Sequence, residues 1–114
     1  MLKHILLPVD LTDKHQKAVT IAAGLAGQFA AEVTLLHVIE LIPGIAQEEE
    51  KPFYQRLERI ARKHLERFSA GLTGRKVTCR GEVLFGNRTV EVIRHAQERG
   101  ADLIILTAPA GDAV

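Results

Sequence analysis

His4-Ile5-Leu6-Leu7-Pro8-Val9-Asp10 is the stretch on which the reading of this chain turns. Ile5, Leu6, Leu7 and Val9 show no polar alternation, so both faces of the run are expected to be buried. Such a run suits a central strand of a parallel sheet covered by helices on both sides. Pro8 has no N–H to give a ladder and belongs at or near the strand's end. Asp10 then falls just past that end, where an open α/β sheet binds its ligands. It is the first candidate site residue.

The chain has 114 residues, one domain's worth, of which 46% are hydrophobic. That is enough apolar material for a packed core. Aromatics make up only 4% and there is no Trp, so the core must be aliphatic. Fifteen basic against fourteen acidic residues leave a net charge of +1. This balance gives no electrostatic footprint for nucleic acid or for an anionic membrane. No apolar segment is long enough to span a bilayer. The amino terminus has no signal-peptide design, and the single Cys79 cannot form an internal disulfide. The expectation is a reduced, cytoplasmic protein.

Beyond Asp10, Thr12 or Asp13 can cap a helix over residues 13–30. Ala18, Ile21, Ala22, Leu25 and Phe29 recur at three- and four-residue steps and predict its buried stripe. Gly24 and Gly27 are expected to allow close packing on the sheet. Glu32–Ile39, rich in β-branched residues, reads as the second strand. Residues 40–52 form a loop whose Glu48-Glu49-Glu50 triplet is read as solvated surface. Phe53, Leu57, Ile60, Ala61, Leu65 and Phe68 mark a second helix over roughly 50–70, ended by Gly71 and Gly74. Its charged face carries i,i+4 pairs such as Glu58 with Arg62.

Alternation from Lys76 to Val83 predicts a half-exposed third strand at a sheet edge. Leu84-Phe85-Gly86-Asn87 turns the chain, and Asn87 or Thr89 caps a third helix with Val90, Ile93 and Ala96 inward. Gly100 stops that helix, and Leu103–Thr107 is the fourth strand, placed beside the first. The pattern βαβαβαβ predicts an α/β fold with a doubly wound parallel sheet in the order 3-2-1-4. The order reverses between strands 1 and 4 and opens a crevice at their carboxyl ends. Pro8–Asp10, Val38–Glu40, Gly86–Thr89 and Thr107–Gly111 converge on it.

Other chemistry finds little support. None of His4, His15, His37, His64 and His95 pairs with a carboxylate at metal-ligand spacing, so no metal site is expected. His37 reads as a packed, hydrogen-bonded histidine, and Cys79 as filler. Ser69, the only serine, has no plausible base. Arg88 reads first as a solvent-facing arginine, though its place at the crevice rim would let it meet an anion.

Ile5–Asp10, Thr34-Leu35-Leu36-His37-Val38, Gly86 opening the third helix, and Gly100-Ala101-Asp102-Leu103-Ile104-Ile105 together resemble the universal stress protein family, in its order and spacing. The resemblance implies a Rossmann-like fold of the adenine nucleotide alpha hydrolase kind, and one domain over residues 1–114. It implies ATP or AMP in the crevice. Asp10 would face ribose or adenine, Pro8 and Val9 would line the base, and the Val38 backbone would bond the adenine edge. Gly86, Arg88, Thr107 and Gly111 are candidates for a phosphate rim. The family's Gly-x-x-Gly phosphate loop and its later Gly-Ser are not matched. Thr107 or Ala108 stands where the first glycine would be, Pro109 removes a backbone donor, and Asp112 adds a negative charge. The fifth strand is absent, and residues 108–114 form a short tail. The chain is therefore either a shortened member or a fragment. Nucleotide binding is expected to be weak or nil, without a metal of its own. Strand 4, an apolar edge, is expected to be covered by a second subunit. The expected function is a stress-response or signalling module acting as a dimer. The alternatives are a slow ATPase and a regulatory domain docking on a larger partner.

Overall fold

The computed structural model describes residues 2–107. Four strands, β1 (His4–Pro8), β2 (Glu32–Ile39), β3 (Cys79–Phe85) and β4 (Leu103–Ile104), form one parallel sheet in the order β3-β2-β1-β4. Ile5 and Leu6 of β1 stand beside Leu103 and Ile104 of β4, and His4–Pro8 beside Glu32–Leu36 of β2. Helices α1 (Gln16–Phe29), α2 (Lys51–Thr73) and α3 (Arg88–Arg99) make the crossovers. The expected doubly wound sheet and its strand order are both present.

The unbroken apolar run of β1 has the predicted cause. Ile5, Leu6 and Leu7 are all fully buried. Ile5 and Leu7 pack into a core shared with α1 and α2, which includes Val19, Ala22, Leu65, Phe68 and Leu72. Leu6 points the other way, into a smaller cluster with Leu36, Val38, Val92 and Ala96 beneath α3. A polar residue at any of the three would lie in one of these cores without water.

The helices differ from their predicted phases. The residues buried on α1 are Ala18, Val19, Ala22, Ala23 and Ala26, whereas Ile21 and Phe29 are about half exposed. Strands β1 and β2 already supply the bulk, so two rows of alanine bring the helix close. Gly24 and Gly27 have no neighbour within 4 Å of an added Cβ and do not mediate this packing. Neither Thr12 nor Asp13 caps the helix through its side chain; a short 3-10 turn at Asp13–His15 precedes α1. Helix α2 runs through Gly71 to Thr73, burying Tyr54 and Leu72, and leaves Ile60 exposed. The Tyr54 hydroxyl accepts the Ile42 N–H at 2.9 Å and so anchors the preceding loop. Glu58 and Arg62 form the expected ion pair at 2.9 Å. The chain does not turn at Leu84: β3 continues to Phe85, because Leu84 and Phe85 pair with Val38 and Ile39.

Asn87 caps α3, its side chain accepting the Val90 N–H at 3.0 Å, and Gly100 ends it with φ +65°. Val92, His95 and Ala96 face the sheet rather than Val90 and Ile93, which are about half exposed. His95 takes the place the pattern reserves for an aliphatic residue, which misled the periodicity. At the start of β4, the Asp102 carboxylate accepts the Lys3 and His4 N–H groups at 2.8 and 2.9 Å. Those backbone bonds hold its pKa below the ordinary carboxylate range.

Leu35→Ala is expected to cost about 2–5 kcal/mol because it empties the core beneath α1 and α2. Phe29→Ala should cost less than about 1 kcal/mol, as for a surface position. Urea unfolding midpoints of the two variants check the observed phase of α1.

Candidate functional site

The crevice forms where β1 ends before β2 does. Val9 leaves β1 but still donates its N–H to the Leu36 carbonyl at 2.9 Å. Its own carbonyl accepts from His37 Nδ1 at 2.9 Å, so His37 is the bonded, packed histidine the sequence suggests. Along β2, Val33 and Ile39 bond toward β3 whereas Leu36 bonds toward β1. Alternation therefore aims the N–H and C=O of Val38 at the β1 side, beyond the point where β1 has left the ladder. Among the described residues no hydrogen bond takes them.

Pro8, Val9, Asp10, Val38, Arg88 and Thr107 all wall one cavity of about 160 Å³ at this point, together with Lys14, His15, Leu36, Val92 and Leu106. Six of the eight residues singled out in the sequence are thus brought together. Gly86 lies off these walls. It turns β3 into α3 with φ +144°, and an added Cβ would stand 3.2 Å from the Glu91 side chain. Gly111, with Pro109 and Asp112, lies outside the described residues.

Asp10 is already engaged. Its Oδ1 accepts the Thr12 N–H at 2.9 Å and the Thr12 hydroxyl, and lies 2.8 Å from His15 Nε2. Its Oδ2 meets Lys14 Nζ at 2.9 Å. Partial burial pushes the Asp10 pKa up, but the bonds from Thr12, Lys14 and His15 together outweigh it and hold the carboxyl far below its ordinary value. His15 Nε2 faces both the Asp10 N–H, which donates to it at 3.0 Å, and Asp10 Oδ1, while Nδ1 meets the Thr107 hydroxyl at 2.7 Å. The relay Asp10–His15–Thr107 joins the loops after β1 and β4 across the switch point. The sequence pointed to its two ends and missed its centre. Lys14 stands four residues from Asp10, a spacing that signals a pair, but nothing in the periodicity marks His15.

The cations on the walls are partnered. Lys14 is held by Asp10, and Arg88 meets Glu40 at 3.2 Å across the mouth, both ends of that pair being at least half exposed. Besides His15 and Thr107, the remaining walls are aliphatic, from Pro8, Val9, Leu36, Val38, Val92 and Leu106. This combination suits a flat, mostly apolar group with a hydrogen-bonding edge. It offers little uncompensated positive charge to a phosphate chain. Among the described residues no group of three His, Cys, Asp or Glu could hold a metal ion. Burial pushes the Cys79 thiol up to about 11, so it is a poor nucleophile. No described helix is long and apolar enough to cross a membrane.

The fold recurs among solved structures. The hypothetical protein MJ0577 superposes with a TM-score of 0.80 at 27% identity, over 92% of this chain and 74% of that one. A universal stress protein family member from Burkholderia pseudomallei gives 0.78 at 22% identity, over 93% and 81%. The universal stress protein from Archaeoglobus fulgidus, in complex with dAMP, gives 0.73 at 16% identity, over 91% and 79%. No curated protein is similar enough to count as a match. The model of the universal stress protein family matches residues 1–111, nearly the whole sequence. The chain belongs to the universal stress protein family.

Proposed function

We propose that this protein is a non-catalytic, cytoplasmic stress-response module that takes the adenosine end of an adenine nucleotide in the crevice, weakly, and works as a dimer. The carrying observation is the backbone edge of Val38, directed into an aliphatic slot beside the ionised Asp10. A purine needs such a slot together with a fixed donor and acceptor. The Archaeoglobus fulgidus relative, of the same fold, is in complex with dAMP. Asp10 Oδ2, shared only with the exposed Lys14, is the atom that would accept a ribose hydroxyl. At about 160 Å³ the cavity is smaller than the roughly 300–1,000 Å³ of ordinary ligand pockets, which favours a small, loosely held group. Phosphoryl transfer needs a metal and a cradle for the phosphates. Lys14 and Arg88 already answer carboxylates, which speaks for binding rather than ATP hydrolysis.

The dimer reading rests on β4. Among the described residues its outer edge has no strand beside it. Ile104 shares a face with its neighbour Leu6 and is 39% exposed, and Leu106, two residues on, is 72% exposed. Val90 and Ile93, on the flank of α3 opposite His95, are also about half exposed. A second copy, related by a twofold axis, would present the same edge and the same apolar band in return.

Two measurements test these readings. Thermal shift with AMP, ADP and ATP, with and without magnesium, should give equal stabilisation by AMP and ATP. At a hundredfold excess over the dissociation constant the gain is about 2.7 kcal/mol. A magnesium-dependent preference for ATP refutes the adenosine-only site, and no shift with any nucleotide refutes binding. Light scattering should give twice the 12.6 kDa chain mass, reduced to a monomer by Ile93→Glu with Ile104→Glu. A wild-type monomer at micromolar concentration overturns the dimer.

A further inference from the structure

Helix α3 roofs two cavities. Its first turns, with Arg88 and Val92, wall the crevice. Its last turns, with His95 and Arg99, line a separate, partly open polar chamber of about 150 Å³. The floor of that chamber is the amino-terminal half of the sheet: His4 from β1, Glu32 and Thr34 from β2, and Arg80 and Glu82 from β3. No residue is common to the two cavities.

His95 is the anomaly. It is only 7% exposed, yet both ring nitrogens are buried without a hydrogen-bond partner. Its neighbour His4 uses both of its own, Nε2 with the Thr34 hydroxyl at 2.7 Å and Nδ1 with the Arg99 carbonyl at 3.1 Å. His15 and His37 are bonded as well. A neutral imidazole carries one donor and one acceptor, and leaving both unmet in a packed interior is costly. The cavity beside it is polar, but both ring nitrogens are closed to water, so nothing standing there meets either need.

We propose that His95, enclosed between α3 and the sheet with neither ring nitrogen bonded, is a neutral plug, and that a proton taken up by it unseats α3 from the sheet, so that acid loosens the helix shared with the crevice. An added charge there faces carboxylates and cations on every side. Glu82 and Glu32 on the sheet and Glu98 on the helix favour it; Arg80, His4 and Arg99 oppose it. Burial is the largest influence and depresses the His95 pKa; Arg99 and His4 push the same way, with Glu82 and Glu98 against them. The unfolded chain then binds this proton more readily than the folded one. Stability contributed by neutral His95 is complete above the unfolded value of about 6.5 and is lost as the pH falls through it toward the folded value. The apolar packing of Val92 and Ala96 against Leu6, Leu36 and Val38 holds α3 down. It has nothing to offer an imidazolium one turn along.

The test uses the whole chain. The His95 ring signals, assigned by labelled NMR, should titrate below pH 6.5. Hydrogen exchange at α3 amides, corrected for intrinsic rates, should accelerate by up to about tenfold between pH 7.5 and 5.5, the most that one such proton can supply. His95→Gln keeps a donor and an acceptor but cannot take the proton. It should remove both the acceleration and the excess loss of melting temperature over that range. A His95 ring that titrates at or above 6.5 overturns the proposal, as does a glutamine variant with unchanged pH dependence. Should that variant fail to fold, the ring titration and the exchange of the wild-type chain decide alone.

Discussion

The two-sided burial of β1 is the constraint on which the rest of the structure depends. Three consecutive side chains, Ile5, Leu6 and Leu7, alternate between two cores and are fully enclosed in both. Burying one such side chain is worth about 1.5–3 kcal/mol, and only helices on both faces can bury all three. Both crossovers that flank β1 follow from this. Helices α1 and α2 must lie over Ile5 and Leu7, and α3 over Leu6. The sheet order then reverses at β1 and leaves a crevice at its carboxyl end. The site is a by-product of that packing before it is anything chemical.

What the packing leaves open, a polar relay closes. Pro8 and Val9 take the chain out of the ladder, and the loops after β1 and β4 would be free to splay. The relay from Asp10 through His15 to Thr107 spans 97 residues of sequence by joining two side-chain bonds, 2.8 and 2.7 Å long. Asp10 is therefore a structural acceptor first. Any ligand hydroxyl must use the oxygen shared with Lys14 or displace that lysine. The exposed lysine is the easier partner to move, since a surface ion pair is worth about 0–1 kcal/mol.

The sheet was legible in the sequence because β1 is written as the uninterrupted apolar run of a strand buried on two faces, and β2 is rich in β-branched and apolar residues. The helix phases were less legible. In α1 the heavy apolar residues Ile21 and Phe29 are the exposed ones and the alanines are buried, because closeness to the sheet, not bulk, was needed there. In α3 a histidine occupies an inward position, and an apolar count skips it. The same blindness hid His15: a residue fixed by bonds to Asp10 and Thr107 leaves no periodic trace. Asp10, Pro8 and Val38 were legible because strand ends are easy to place, and a site at strand ends inherits that ease.

One helix thus meets two environments. At its start α3 packs through Val92 onto an aliphatic wall, and at its end it borders a polar chamber with His95. Apolar contact tolerates small shifts, because dispersion and water exclusion are non-directional. A buried imidazole does not, because its need for partners changes with its protonation. Under the proposal for His95, a shift of α3 would start at its carboxyl-terminal end and reach its amino-terminal end, where Arg88 meets Glu40 across the crevice mouth in an exposed and therefore weak ion pair. Helix α3 thus lines both the cavity beside His95 and the crevice, two spaces that share no side chain.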